Sequence, residues 1–214
     1  MNPSDRSDAG PPEKSETRLT EDERTDTVVA YTAACAFFGE RLAEVTELDW
    51  TADTPCDRWD VRMLVAHVVT GEALVTRVLR DGGAWESQAD PSILGLNPMA
   101  TWRGTVLAAI ESVSADGVLD ALHPHAVGEL PGGVIIGFSR GTENLVHGWD
   151  LARSCGAEVQ LPETLAERCL DFWLSVGRFG RPHRPLRVEG DAARRCIRGR
   201  PTPVAARPGG MIWR

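Results

Sequence analysis

The chain has 214 residues, of which 42% are hydrophobic and 25% charged. This is the size and composition of one globular domain with tails. No apolar run approaches the roughly 20 residues that cross a bilayer, and the polar start MNPSDRSDAGPPEKSE is unlike a secretory signal. A cytoplasmic protein without membrane partners is expected. The net charge of −8 argues against nucleic acid and leaves a small-molecule substrate as the expected partner. Homodimerisation stays open.

The charge is unevenly placed. Residues 1–26 carry −4 and residues 177–214 carry +8, leaving −12 for residues 27–176. An arginine-rich tail beside an acidic body either folds back over it or stays solvated. The five cysteines, Cys35, Cys56, Cys155, Cys169 and Cys196, include no CxxC pair. Reduced thiols are expected rather than a cysteine zinc site. Cys56 follows Pro55 in a loop, with nothing cationic and helical preceding it to lower its pKa.

Residues 1–19 are rich in Ser, Asp, Glu and Pro and read as a disordered tail. Thr20 and Glu23 form a capping box. The first helix then runs to about residue 47, with Val28, Tyr31, Ala34, Cys35, Phe38, Leu42 and Val45 at helical spacing. Asp60 is placed to cap the second helix, DVRMLVAHVVTGEALVTRVLRD, which is apolar on most faces and hence central. Gly82 and Gly83 end it. Residues 84–98 read as irregular. A third helix spans residues 98–114, with Trp102, Val106, Ala109, Ile110 and Val113 on one face. An irregular stretch around His123 and His125 leads into a fourth helix over residues 131–155, stopped by Gly156. A fifth covers residues 163–176 after Pro162. No strand is expected before residue 184. The reading is all-α: a four-helix bundle over residues 20–180, followed by an irregular Arg/Pro/Gly-rich extension over residues 181–214.

Three residues carry the chemistry. His67 lies within Leu64-Val65-Ala66-His67-Val68-Val69 on the most apolar helix. A buried imidazole needs a partner, since an unpaired polar group in a core costs roughly 1–3 kcal/mol. That partner is a carbonyl or hydroxyl, or else a metal ion. Glu143 and His147 are i and i+4 on the fourth helix, so they share a face. They form either a simple hydrogen bond or two ligands for a divalent ion. With His67 the set is His₂Glu, which leaves a fourth position open as in catalytic zinc sites.

These segments resemble a known family. TPCDRWDVRMLVAH (residues 54–67), GELPG (128–132) and ENLVHGWDLARSCG (143–156) are similar to the actinobacterial DinB-like family that includes the N-terminal domain of mycothiol-dependent maleylpyruvate isomerase. The likeness covers roughly residues 27–176. It implies a DinB-like four-helix bundle with a divalent metal, usually Zn²⁺, on His67, Glu143 and His147, and mycothiol as co-substrate. A coordinated thiol loses its proton, and the thiolate is the nucleophile. The isomerase has a separate C-terminal domain that residues 181–214 are too short to supply. A thiol-dependent transferase or another isomerase is therefore expected rather than maleylpyruvate isomerisation itself.

Asp150 either orients a ligand imidazole or pairs with Arg153 on the surface. Trp149 reads as core, Trp59 as the plug of its loop, and His123 and His125 as exposed. Two other functions compete. One is a metal-independent pocket enzyme of secondary metabolism, such as a cyclase, on the same scaffold. The other is a non-catalytic metal- or ligand-binding protein.

Overall fold

The computed structural model describes residues 18–86 and 88–178. Helix α1 (Glu21–Ala43) begins at the expected capping box: Thr20 Oγ1 accepts from the Glu23 amide, and Glu23 Oε2 accepts from the Thr20 amide at 2.8 Å. Glu21, Asp22 and Glu23 lie in its first turn, where carboxylates suit the positive end of the helix dipole. The helix ends four residues earlier than its periodicity suggests. Thr46 and Asp49 bond to each other and start a separate 3-10 turn, Asp49–Thr51.

Helix α2 (Val61–Val75) is capped by Asp60, whose carboxylate accepts from the Met63 amide at 2.8 Å. A π turn, Thr76–Arg80, continues it. Residues 84–98 contain one 3-10 turn, Pro91–Leu94, before α3 (Pro98–Val113), which Asn97 caps.

Two expectations change at the next segment. The stretch read as irregular is a β-hairpin, with β1 (Leu122–His125) antiparallel to β2 (Gly128–Pro131). Its four-residue strands contain Pro124 and Pro131, so no alternating pattern betrays them. Proline is tolerated because each strand of a two-stranded ribbon has a free edge. His123 and His125 are half-buried rather than exposed. His123 Nε2 donates to the Val118 carbonyl at 2.9 Å, and His125 packs on Trp85 with ring centroids 4.3 Å apart.

The expected single helix over residues 131–155 is three pieces. These are α4 (Gly132–Val134), a π turn (Ile135–Arg140) and α5 (Gly141–Ser154). A π turn holds one extra residue, which redirects the side chains that follow it; here Ile135, Ile136 and Arg140 all become buried. Gly156 stops the segment in the left-handed region, at φ 74°. Helix α6 (Glu163–Arg178) follows Pro162.

Helices α1, α5, α2 and α3 pack in that cyclic order as a four-helix bundle, with α6 against α5. Tyr31, Phe38, Leu64, Val65, Val68, Ile135 and Leu151 are fully buried at its centre. Burying each of the larger apolar side chains contributes roughly 1.5–3 kcal/mol. Helix α5 approaches α1 closely at Gly148, where a Cβ would lie 2.8 Å from the Phe37 ring. No described helix is long and apolar enough to cross a membrane.

Arg18 and Leu19, assigned to the N-terminal tail from composition, are held at the bundle. The Leu19 amide donates to Asp120 Oδ1 at 2.9 Å, and Leu19 packs against the core. The rest of that tail and the arginine-rich extension over residues 181–214 lie outside the described residues.

Candidate metal centre

The loop before α2 forms one wall of the site. Ala52 O accepts from the Val61 amide at 3.1 Å, and Trp59 O accepts from both the amide and the hydroxyl of Thr54. Arg58 takes a positive φ of 68° to close this turn. The loop thereby turns Trp59 inward. Its ring centroid lies 4.8 Å from that of His67 and 6.1 Å from that of His147. Trp59 was expected only to plug its loop, and instead it covers two imidazoles.

His67 projects from α2, and Glu143 and His147 from consecutive turns of α5. Glu143 Oε2 lies 2.9 Å from His67 Nε2 and 3.1 Å from His147 Nε2. The two imidazoles meet edge to face, with centroids 5.2 Å apart. One donor atom from each of the three residues lies within 4.8 Å of the other two. The side chains of His67 and Glu143 each keep 28% of their surface exposed, against 7% for His147. The cluster thus has one side open to solvent and one closed.

Asp150 holds the closed side. Its Oδ2 lies 3.0 Å from His147 Nδ1, which leaves Nε2 for Glu143. Arg153, the alternative partner considered for Asp150, instead lies over the half-buried Trp149 ring at 5.8 Å. Cys56 Sγ approaches Asp150 Oδ2 at 3.5 Å and His147 Nδ1 at 3.9 Å. Cys56, His147 and Asp150 also converge and are all buried, but Cys56 is disulfide-bonded rather than the reduced thiol expected, so it has no thiolate to offer a metal. Proximity of Cys56 to the site had no signal in the sequence, because a loop brings it there.

The charge states follow from these contacts. Burial works against the protonated form of His147, but the hydrogen bonds to Asp150 and Glu143 outweigh it and raise its pKa to about 9. Burial also opposes ionisation of Glu143, yet the bonds from His147 and His67 hold it well below the ordinary carboxylate range. Burial lowers His67, with Glu143 only partly compensating. At neutral pH the metal-free cluster holds a protonated His147 and an ionised Glu143 beside a neutral His67, and both Nε2–H groups donate to Glu143.

Two imidazoles and a carboxylate with one open side are chemically suited to a borderline divalent ion such as Zn²⁺. The same donors also satisfy one another without an ion. A separate groove of about 1240 Å³ runs between α1, the hairpin and α6, lined by Thr27, Ala30, Ala34 and Phe172 among others. His67, Glu143, His147 and Asp150 are not part of its lining.

Residues 31–152 match the family model described as mycothiol maleylpyruvate isomerase N-terminal domain. An uncharacterised protein of Mycobacterium tuberculosis, found in two strains, is 32% identical over 179 residues, which is 82% of this chain and 92% of that protein. The crystal structure of the mycothiol-dependent maleylpyruvate isomerase superposes with a TM-score of 0.55 at 16% identity, over 68% of this chain and 67% of that one. At that identity the likeness concerns the fold. The matched segment holds every side chain of the candidate centre, and the chain belongs to the mycothiol maleylpyruvate isomerase N-terminal domain family.

Proposed function

We propose that this chain is a metal-dependent enzyme that uses a low-molecular-weight thiol, mycothiol in the first instance, in a transferase or isomerase reaction on a small molecule. The observation that carries the reading is the convergence of His67, Glu143 and His147 from two helices, all within 4.8 Å, with solvent on one side only. Family membership supports the thiol, since a relative of known structure is described as mycothiol-dependent.

His67, Glu143 and His147 would hold the ion. When bound, a divalent ion of this kind acidifies a coordinated thiol and so supplies a thiolate at neutral pH. Asp150 fixes the His147 ring through Nδ1, so that its Nε2 faces the open side. Trp59 shields the two imidazoles from bulk water on one flank. The proton on His147 must leave before that nitrogen can bind a cation.

A second reading has its own support. Glu143 Oε2 already accepts from both imidazoles, which suits a hydrogen-bonded pocket that works without metal. Metal analysis of the purified chain, with mycothiol binding measured before and after chelation, separates the two. About one ion per chain and loss of thiol binding on chelation support the first. Absence of metal after incubation with excess zinc, with thiol binding intact, supports the second.

A further inference from the structure

A buried polar cluster lies beside the candidate centre and takes no part in it. Glu72 is fully buried, five residues beyond His67 on α2. Its Oε1 accepts from Arg140 Nε at 3.1 Å, Arg140 Nη2 at 2.9 Å and Asn144 Nδ2 at 2.7 Å. Its Oε2 accepts from the Tyr31 hydroxyl of α1. Arg140 Nη2 also donates to the Val68 carbonyl at 3.2 Å, and Asn144 Nδ2 to the Arg140 carbonyl at 2.9 Å.

These contacts bracket the ligand set. Val68 adjoins His67, while Arg140 and Asn144 lie on either side of Glu143. Four hydrogen bonds therefore tie residues 68–72 of α2 to residues 140–144. They do so where the His67–Glu143 contact is made. Gly71 lets the helices come this close: a Cβ there would lie 2.2–2.3 Å from the Arg140 guanidinium. The π turn ending at Arg140 puts that side chain on the buried face.

Stability alone does not call for such a pair. Both partners are stripped of water, with side chains 4% and 0% exposed, and well-packed apolar residues often serve as well or better. What apolar packing lacks is direction. A planar guanidinium fork on one carboxylate oxygen fixes both rotation and axial register. We infer that the buried Glu72–Arg140 pair, with Asn144 and Tyr31, is a positioning device that sets α5 on α2 so that Glu143 and His147 meet His67.

The metal readout of this inference rests on the proposed function, and a second readout does not. Two variants of the full chain serve: Arg140→Lys, which keeps the charge but loses the fork, and the double variant E72L/R140M, which leaves no orphan charge. In metal-free protein, nitrogen-15 NMR of the imidazoles reports the hydrogen-bonded Nε2–H groups of His67 and His147. Both variants should lose that signature while keeping the helical circular-dichroism signal. Their zinc affinity should fall by about tenfold or more. A purely structural role would lower the unfolding midpoint and leave the imidazole signals and zinc affinity of the folded protein unchanged; that result overturns the inference. If the double variant does not fold, unchanged imidazoles in folded Arg140→Lys overturn it alone. A wild-type chain with no zinc affinity would remove the metal reading, and the imidazole signals would still decide the positioning role.

Discussion

Asp150 Oδ2 lies 3.0 Å from His147 Nδ1, across the imidazole from Glu143. His147 is thereby held between two carboxylates inside the bundle, which sustains its positive charge despite burial. Its pKa in the folded chain is about 9, above the ordinary 6.5. A raised pKa contributes stability that is fully present below the unfolded value. That stability is lost as pH rises through the folded value. Metal-free protein should therefore weaken between about pH 6.5 and 9, by up to about 3 kcal/mol. Urea denaturation at intervals across that range checks this. Asp150→Asn should flatten the decline, and an equally steep decline in that variant would contradict the assignment to His147.

Under the proposed function, zinc and the His147 proton would compete for one nitrogen. About one equivalent of zinc should bind per chain, tighter at pH 8.5 than at pH 6.5, with proton release in weakly buffered solution. His67→Ala removes one of the three proposed ligands and should abolish most binding. Isothermal titration in buffers of different ionisation enthalpy measures both effects. Equal binding by His67→Ala would mean that the ion sits elsewhere.

Trp59 packs on His67 at 4.8 Å and contributes to the burial that lowers its pKa. In Trp59→Ala water should reach the ring, and the His67 pKa should rise. An NMR titration of the imidazole carbons follows it directly. No movement would assign the shift to the helices alone.

Asp120 ties the N-terminal end of α1 to the segment before the hairpin. It accepts from the Leu19 amide at 2.9 Å and from Arg24 Nη1 at 3.0 Å. Asp120→Ala should cost about 1–2 kcal/mol, because a half-buried amide loses its acceptor. Removing residues 1–17 should leave the unfolding midpoint unchanged, whereas removing residues 1–19 should lower it. Thermal unfolding of the three proteins separates these outcomes.

Local signals in the sequence determined much of this protein. The capping box at Thr20, the cap at Asp60 and the stop at Gly156 depend on residues a few positions apart, and all three appear where the side chains place them. Apolar periodicity identified the first and third helices, because burying one stripe requires it. The pairing of Glu143 with His147 is equally local, being one turn of helix. Glu72, a carboxylate on the most apolar helix, was not singled out in the sequence, and its burial emerged only from the structure.

Tertiary structure decided the rest. No periodicity reveals that Glu72 would find Arg140, 68 residues away, since that contact depends on how α5 is rotated on α2. The π turns escaped notice because they shift backbone hydrogen bonds without changing the hydrophobic pattern. The hairpin at residues 122–131 escaped because its prolines and short strands suppress alternation. Trp59 and Cys56 reach the site through the fold of one loop, whose path depends on hydrogen bonds between Ala52, Thr54, Trp59 and Val61. Helical spacing aligns side chains along one element, but only packing between elements decides which of them meet. The open side of His67 and Glu143 and the closed side of His147 are properties of that packing.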